Sequence, residues 1–150
     1  MARGRVVSLQ VLREHGKPSD PVPWVRARVG CGLDGDVHGK ARPGGRRQVL
    51  LVDASTLAAL DLRPGDLREQ ITVDLPGLDA LPPGTRLRVG QAVLELTGPC
   101  EPCTHIGALL GVPDPRRFQQ RLAGVRGQLA MVVAADGDGL IRVGDPVACL

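Results

Sequence analysis

Apolar residues along this chain come in short bursts separated by turn-forming residues, a rhythm of strands rather than of long helices. Arg5 to Leu12 (RVVSLQVL) is rich in β-branched residues and predicts a first strand. Val25 to Val29 alternates apolar and basic residues, which predicts a half-buried strand with Arg26 and Arg28 on its outer face. Val49 to Val52 is apolar throughout, and Leu67 to Val73 is a further predicted strand. Arg86 to Val89 and Gln91 to Thr97 meet at Gly90, which reads as a bend rather than a full hairpin. Leu129 to Ala134 and Leu140 to Val143 flank Asp136-Gly137-Asp138-Gly139, a strong hairpin signal. Val147 to Leu150 is a last short strand.

Helix signals are few. Asp53 to Thr56 offers N-caps for a short helix through Leu60. Asp114-Pro115 starts another, with Phe118 and Leu122 on one face and Gly124 as its stop. The expected fold is one domain over residues 1–150, mainly β with a few short helices (α+β). A closed or partly closed β-barrel, mostly antiparallel, or a sandwich satisfies that pattern.

Composition narrows the function classes. One Trp, one Phe and no Tyr leave a core of Val, Leu and Ala and few faces on which bases could stack, which argues against a single-strand RNA binder. The net charge of +3 is carried almost wholly by arginine, since Lys17 and Lys40 are the only lysines. No dense basic block is present, so no nucleic-acid partner is expected. Scattered arginines suit bidentate recognition of a small phosphate-bearing ligand. No apolar h-region follows Arg3 and Arg5 and no apolar run reaches membrane-spanning length, so the expectation is a cytoplasmic protein with no membrane contact. Four cysteines are too few and too unevenly placed for a disulfide framework.

The chemistry gathers at Gly98-Pro99-Cys100-Glu101-Pro102-Cys103-Thr104-His105. A structural zinc site needs four ligands; Cys100, Cys103 and His105 give three, with Cys31, His38 or Cys149 as a fourth, and no second CxxC exists. A thioredoxin-like dithiol needs a helix N-terminus and a βαβ setting, and Gly107 and Gly111 make the following helix short. A single reactive thiolate at Cys103 is the third option, suited to a soft metal centre or to carrying sulfur as a persulfide. A buried small residue in a tight turn is the fourth. Cys31, Cys149 and His15 read as structural or solvated. The glycine-punctuated loop from Gly30 to Gly45 carries Asp36, His38 and Lys40 spaced two apart, and a loop of that length is commonly functional. Glu69 could simply decorate a strand.

The ordered set Gly32-Leu33-Asp34-Gly35-Asp36-Val37-His38, Arg47-Gln48-Val49, Pro64 to Thr72 (PGDLREQIT), Pro102-Cys103 and Ile141 to Val147 (IRVGDPV) resembles the MOSC domain, the C-terminal domain of molybdenum-cofactor sulfurases that also occurs as stand-alone bacterial proteins. The resemblance runs from about residue 24 to the end. It implies a β-barrel fold and the molybdenum cofactor (molybdopterin). The family's hallmark cysteine, which carries sulfur or ligates molybdenum, falls on Cys103. Cys100 matches a position that is cysteine in some relatives, including the amidoxime-reducing enzymes, and is a possible helper with His105. The family's Glu-Asn pair is Glu69-Gln70 here, and the longer side chain brings a polar contact from position 70 into question. His38, Lys40, Arg47, Arg68 and Glu69 become the candidate cofactor contacts. Two activities follow from the resemblance: a sulfur carrier fed by a separate pyridoxal-phosphate cysteine desulfurase or a molybdoenzyme maturation partner, or a molybdenum-dependent reductase of N-hydroxylated compounds served by a separate electron-transfer partner.

Overall fold

The structure is a computed structural model and describes residues 3–39 and 44–150. Its first strand, β1 (Arg3–Val11), has three partners along its length: β11 (Pro146–Cys149), β6 (Ile71–Asp74) and β2 (Asp20–Val22). A register shift between Val6 and Ser8 lets it turn from one neighbour towards the next. With β5 (Val49–Asp53), β7 (Arg86–Val89), β8 (Ala92–Pro99) and β9 (Gln128–Ala135), these strands pair in the order β11-β7-β8-β9-β5-β6-β1, and β1 pairs back onto β11. The sheet is a closed seven-stranded barrel, with β2 attached outside the ring. Every pairing is antiparallel except β5 with β6. That parallel step needs a crossover, and α1 (Ala54–Ala59) lies within it.

The expected mainly β barrel is therefore what the chain forms. β5 shows why its sequence does not alternate. Val49 and Leu51 enter the barrel interior, while Leu50 and Val52 face a second apolar cluster with Leu57, Leu67, Phe118 and Leu122. Both faces are covered, so all five residues are buried. The interior itself is aliphatic, with Leu9, Leu51, Ile71, Leu87, Leu94 and Leu96 fully buried.

Outside the barrel, β10 (Leu140–Arg142), β3 (Trp24–Arg28) and β4 (Gly32–Leu33) form a small sheet. Val25 and Ala27 are buried and Arg26 and Arg28 exposed, as the alternation requires. Three expectations need correction here. The Asp136–Gly139 turn forms, with Gly139 N–H donating to the Asp136 carbonyl at 2.9 Å, but β9 and β10 do not pair. Both edges of β9 are already taken by β5 and β8, so β10 leaves for β3. Conversely Gly90 is a true hairpin turn, with φ of 55°, joining β7 and β8 as an antiparallel ladder. The strand expected over Leu67 to Val73 begins only at Ile71, because residues 64–67 form a turn and Arg68 leaves it with φ of 63°.

Two helices follow the cysteine pair, α2 (Thr104–Leu110) and α3 (Pro115–Arg121). The Asp114 side chain caps α3, accepting from Arg117 N–H at 3.1 Å. Gly107 has a packing reason: a Cβ there would lie 3.1 Å from Pro115 Cα and 3.3 Å from the Phe118 ring. Among the described residues no helix is long and apolar enough to cross a membrane.

Candidate functional site

Where β8 ends, Cys100 N–H donates to the Gly127 carbonyl at 2.9 Å, tying the cysteine pair to the segment that enters β9. Beside this junction a cleft of about 290 Å³ opens, lined among others by His38, Arg47, Arg68, Cys100, His105 and Arg126. Five of these six side chains are cationic or can become so, and among the described residues no carboxylate lines the cleft. A larger cleft, about 460 Å³, lies beside Trp24 and holds none of the predicted site residues.

The two thiols are not equivalent. Cys100 is buried and lines the cleft; Cys103 is exposed, immediately precedes α2 and lies outside the cleft lining. Among the described residues no group of three or more His, Cys, Asp or Glu side chains is placed to hold a metal, so the zinc reading has no ligand set there. A helix does follow the pair, but the strand it leaves is antiparallel to its neighbours, not part of a βαβ unit.

His38 is held by a buried network. Asp36 Oδ1 accepts from Leu12 N–H at 2.7 Å, and Oδ2 accepts from His38 N–H at 2.9 Å and Gln70 Nε2 at 3.1 Å. His38 Nδ1 lies 3.2 Å from Asp36 Oδ2. The carboxylate can only accept, while Gln70 Nε2, a donor, lies 3.3 Å from the same nitrogen, so Nδ1 sits between an acceptor and a donor and Nε2 has no partner among the described residues. Burial of Asp36 works against its charge, but hydrogen bonds from His38 and from Leu12 N–H outweigh it and hold the carboxyl below its ordinary 3.8. Gln70, whose longer side chain brought its contact into question, is fully engaged: its Oε1 also accepts from Leu50 N–H at 2.8 Å. His15 is exposed, yet its ring meets His38 edge-on, with centroids 5.9 Å apart.

Glu69 does not decorate a strand surface. It is fully buried and accepts from Thr72 Oγ1 at 2.9 Å, behind the cleft rather than on its lining. Burial pushes its carboxyl above the ordinary 4.5, against hydrogen bonds and the nearby Arg126 charge. Between the ordinary and the raised value the folded protein keeps a proton that the unfolded chain has lost, so stability falls as pH rises through that window. Glu69→Gln removes this penalty. Thermal unfolding followed against pH is expected to show the variant melting with the parent below pH 4.5 and above it at neutral pH.

Of the remaining predicted contacts, Arg47 is exposed at the rim, and Arg68 is half-buried, its Nη1 donating to the Lys17 carbonyl at 2.6 Å. Lys40 lies outside the described residues. Sequence reasoning missed Arg126, which is only 9 % exposed and whose Nε and Nη1 have no hydrogen-bond partner among the described residues. Its signal was a lone arginine between Gly124 and Gly127, on the approach to a buried strand. Gln48 was missed as well. Its Nε2 donates to the Gly30 carbonyl at 2.8 Å and its Oε1 accepts from Val132 N–H at 3.0 Å, anchoring the glycine loop to the barrel.

Solved structures share this fold. The YuaD protein from Bacillus subtilis superposes with a TM-score of 0.81 at 20 % identity, covering 98 % of this chain and 97 % of that one. YiiM from Geobacillus stearothermophilus gives 0.71 at 19 %, covering 98 % and 75 %, and YiiM from Escherichia coli 0.67 at 18 %, covering 99 % and 69 %. No curated protein matches the chain in sequence. The family model described as the MOSC domain matches residues 34–148, a span that takes in the His38 loop, the cleft, both site cysteines and the return strand of the barrel, and the chain belongs to the MOSC domain family.

Proposed function

We propose that this protein is a molybdenum-cofactor-associated sulfur carrier in which Cys103 accepts a persulfide sulfur, next to a cleft that holds the cofactor. The observation that carries the reading is the donor set of the cleft: Arg47, Arg68, Arg126, His38 and His105 around the Cys100 thiol, with no carboxylate among the described residues of the lining. That set fits a phosphate-bearing, thiolate-seeking group. When bound, the cofactor supplies a molybdenum centre that takes sulfur ligands. The chain's own residues do the rest. The arginines neutralise phosphate charge, and Asp36 and Gln70 fix the His38 ring so that its free nitrogen can meet a polar ligand.

Cys103 is exposed, as a residue that must meet a sulfur donor on another protein has to be. Its thiolate attacks the terminal sulfur of the donor's persulfide. The donor's S–S bond breaks, a new S–S bond forms on Cys103, and the donor leaves as a thiolate, with no net oxidant required. The donor class is a pyridoxal-phosphate cysteine desulfurase. Incubation with such an enzyme and isotopically labelled cysteine is expected to add one sulfur to Cys103, read by peptide mass spectrometry, and to add none to Cys103→Ala. A label that never reaches Cys103, or that survives the substitution unchanged, sinks the proposal.

A molybdenum-dependent reductase of N-hydroxylated compounds is the second reading. It is favoured by Cys100, a thiol that already faces the cleft. Stoichiometric molybdenum together with reductase activity, electrons being supplied by a separate protein, is the outcome that favours it over the carrier.

A further inference from the structure

A guanidinium nine-tenths buried with two donor nitrogens unused is expensive, because each desolvated N–H has exchanged water for nothing. Arg126 is in that position, and it lines the cleft. Glu69 feels the Arg126 charge without forming an ion pair with it, and its Oε1 also lacks a partner among the described residues. Asp36, whose charge Arg68 feels, is taken up by Leu12, His38 and Gln70. Among the described residues no acid forms an ion pair with Arg126, while Arg47 and Arg68 share its cleft.

We propose that Arg126, from the interior, and Arg47, from the rim, form a binding site for a tetrahedral oxyanion: a phosphate, free or as the monoester of a larger ligand. The inference deepens the cofactor reading and rests on it only for the monoester case. Arg126 brings a buried positive charge and two unused donor nitrogens, Nε and Nη1, each able to donate to an oxygen of a ligand. Arg47 is exposed and closes over the anion from outside. Glu69 is fully buried and off the lining, so it does not face the ligand.

The test is calorimetric titration of the purified protein with inorganic phosphate and, in parallel, with glycerol 3-phosphate. At least one is expected to bind, and the affinity to fall on the order of ten- to a hundredfold in Arg126→Gln, the range for losing a charge-assisted hydrogen bond. Arg47→Gln, a surface change that leaves the fold intact, is expected to weaken binding several-fold. Binding of the monoester at least as tight as inorganic phosphate assigns the site to the phosphate end of an organic ligand; exclusion of the monoester assigns it to the free oxyanion. In phosphate-free buffer Arg126→Met is expected to melt at or above the parent, because an uncompensated buried charge has been removed. Failure of both probes to bind overturns the proposal, as does binding that Arg126→Gln leaves unchanged, or an Arg126→Met protein that unfolds. Molybdenum content after expression in a cofactor-competent host is read separately, so a chain that loads molybdenum yet ignores phosphate loses this site and keeps the cofactor reading.

Discussion

Asp36→Ala is expected to lose about 3–5 kcal/mol of stability at neutral pH, the range for stripping a buried carboxylate from the donors it serves. The Asp36 side chain is fully buried, and it is the acceptor for three separate parts of the chain: Leu12 at the end of β1, His38 in the glycine loop and Gln70 ahead of β6. Leu12 is itself fully buried, so its N–H, once orphaned, has no water to turn to. Urea unfolding measures the loss. A difference under about 1 kcal/mol would mean that water has entered and replaced the carboxylate.

The pH dependence separates charge from shape. The folded carboxyl titrates below 3.8, so its contribution is fully present above that value and disappears as pH falls through the lower, folded one. Parent and Asp36→Ala stabilities should therefore converge in strong acid. The same substitution changes what the His38 ring meets, since its Nδ1 loses the Asp36 acceptor and keeps Gln70 Nε2, a donor, 3.3 Å away. Chemical shifts of the two ring nitrogens report that directly.

Much of the barrel is legible in the sequence wherever one face of a strand is wet. Trp24 to Arg28 alternates because one side meets the core and the other solvent. β5 can be read as a strand but not placed, since both its faces are covered and periodicity carries no direction. The Asp-Gly turn at 136–139 is legible, but the hairpin it signals does not form: turn chemistry is local, while the choice of partner depends on which ladder edges remain open. The site divides along the same line. The cysteine pair is a motif of neighbours, whereas Gln48 reaches Val132 across 84 positions and Gln70 reaches Asp36 across 34, and nothing in the composition of either segment marks the other. Arg126 is hidden for the opposite reason. In a chain this rich in arginine, a single buried one looks like the rest until its surroundings are known.

Gly127→Ala is expected to cost about 2–6 kcal/mol and to disturb the site from behind. Two terms add. Gly127 has φ of 106°, outside the region that residues with a Cβ adopt without strain, which costs about 1–3 kcal/mol. A Cβ there would also stand 2.5 Å from the Leu51 carbonyl oxygen and 2.8 Å from Val52 Cγ2, and overpacking of that kind costs a further 1–3 kcal/mol or so. Gly124 supplies the control three residues away. Its φ is 78°, yet a Cβ would meet nothing within 4 Å, so Gly124→Ala carries the backbone term alone, about 1 kcal/mol. The clash matters to function because β5 cannot yield, buried as it is on both faces; the segment that moves is 126–128. That segment carries Arg126 and accepts the Cys100 N–H, so both the guanidinium and the inner thiol should shift together. Phosphate affinity is expected to drop in Gly127→Ala and to hold in Gly124→Ala. Equal unfolding midpoints for the two variants would instead show that β5 gives way, and that the cleft is softer than its buried wall implies.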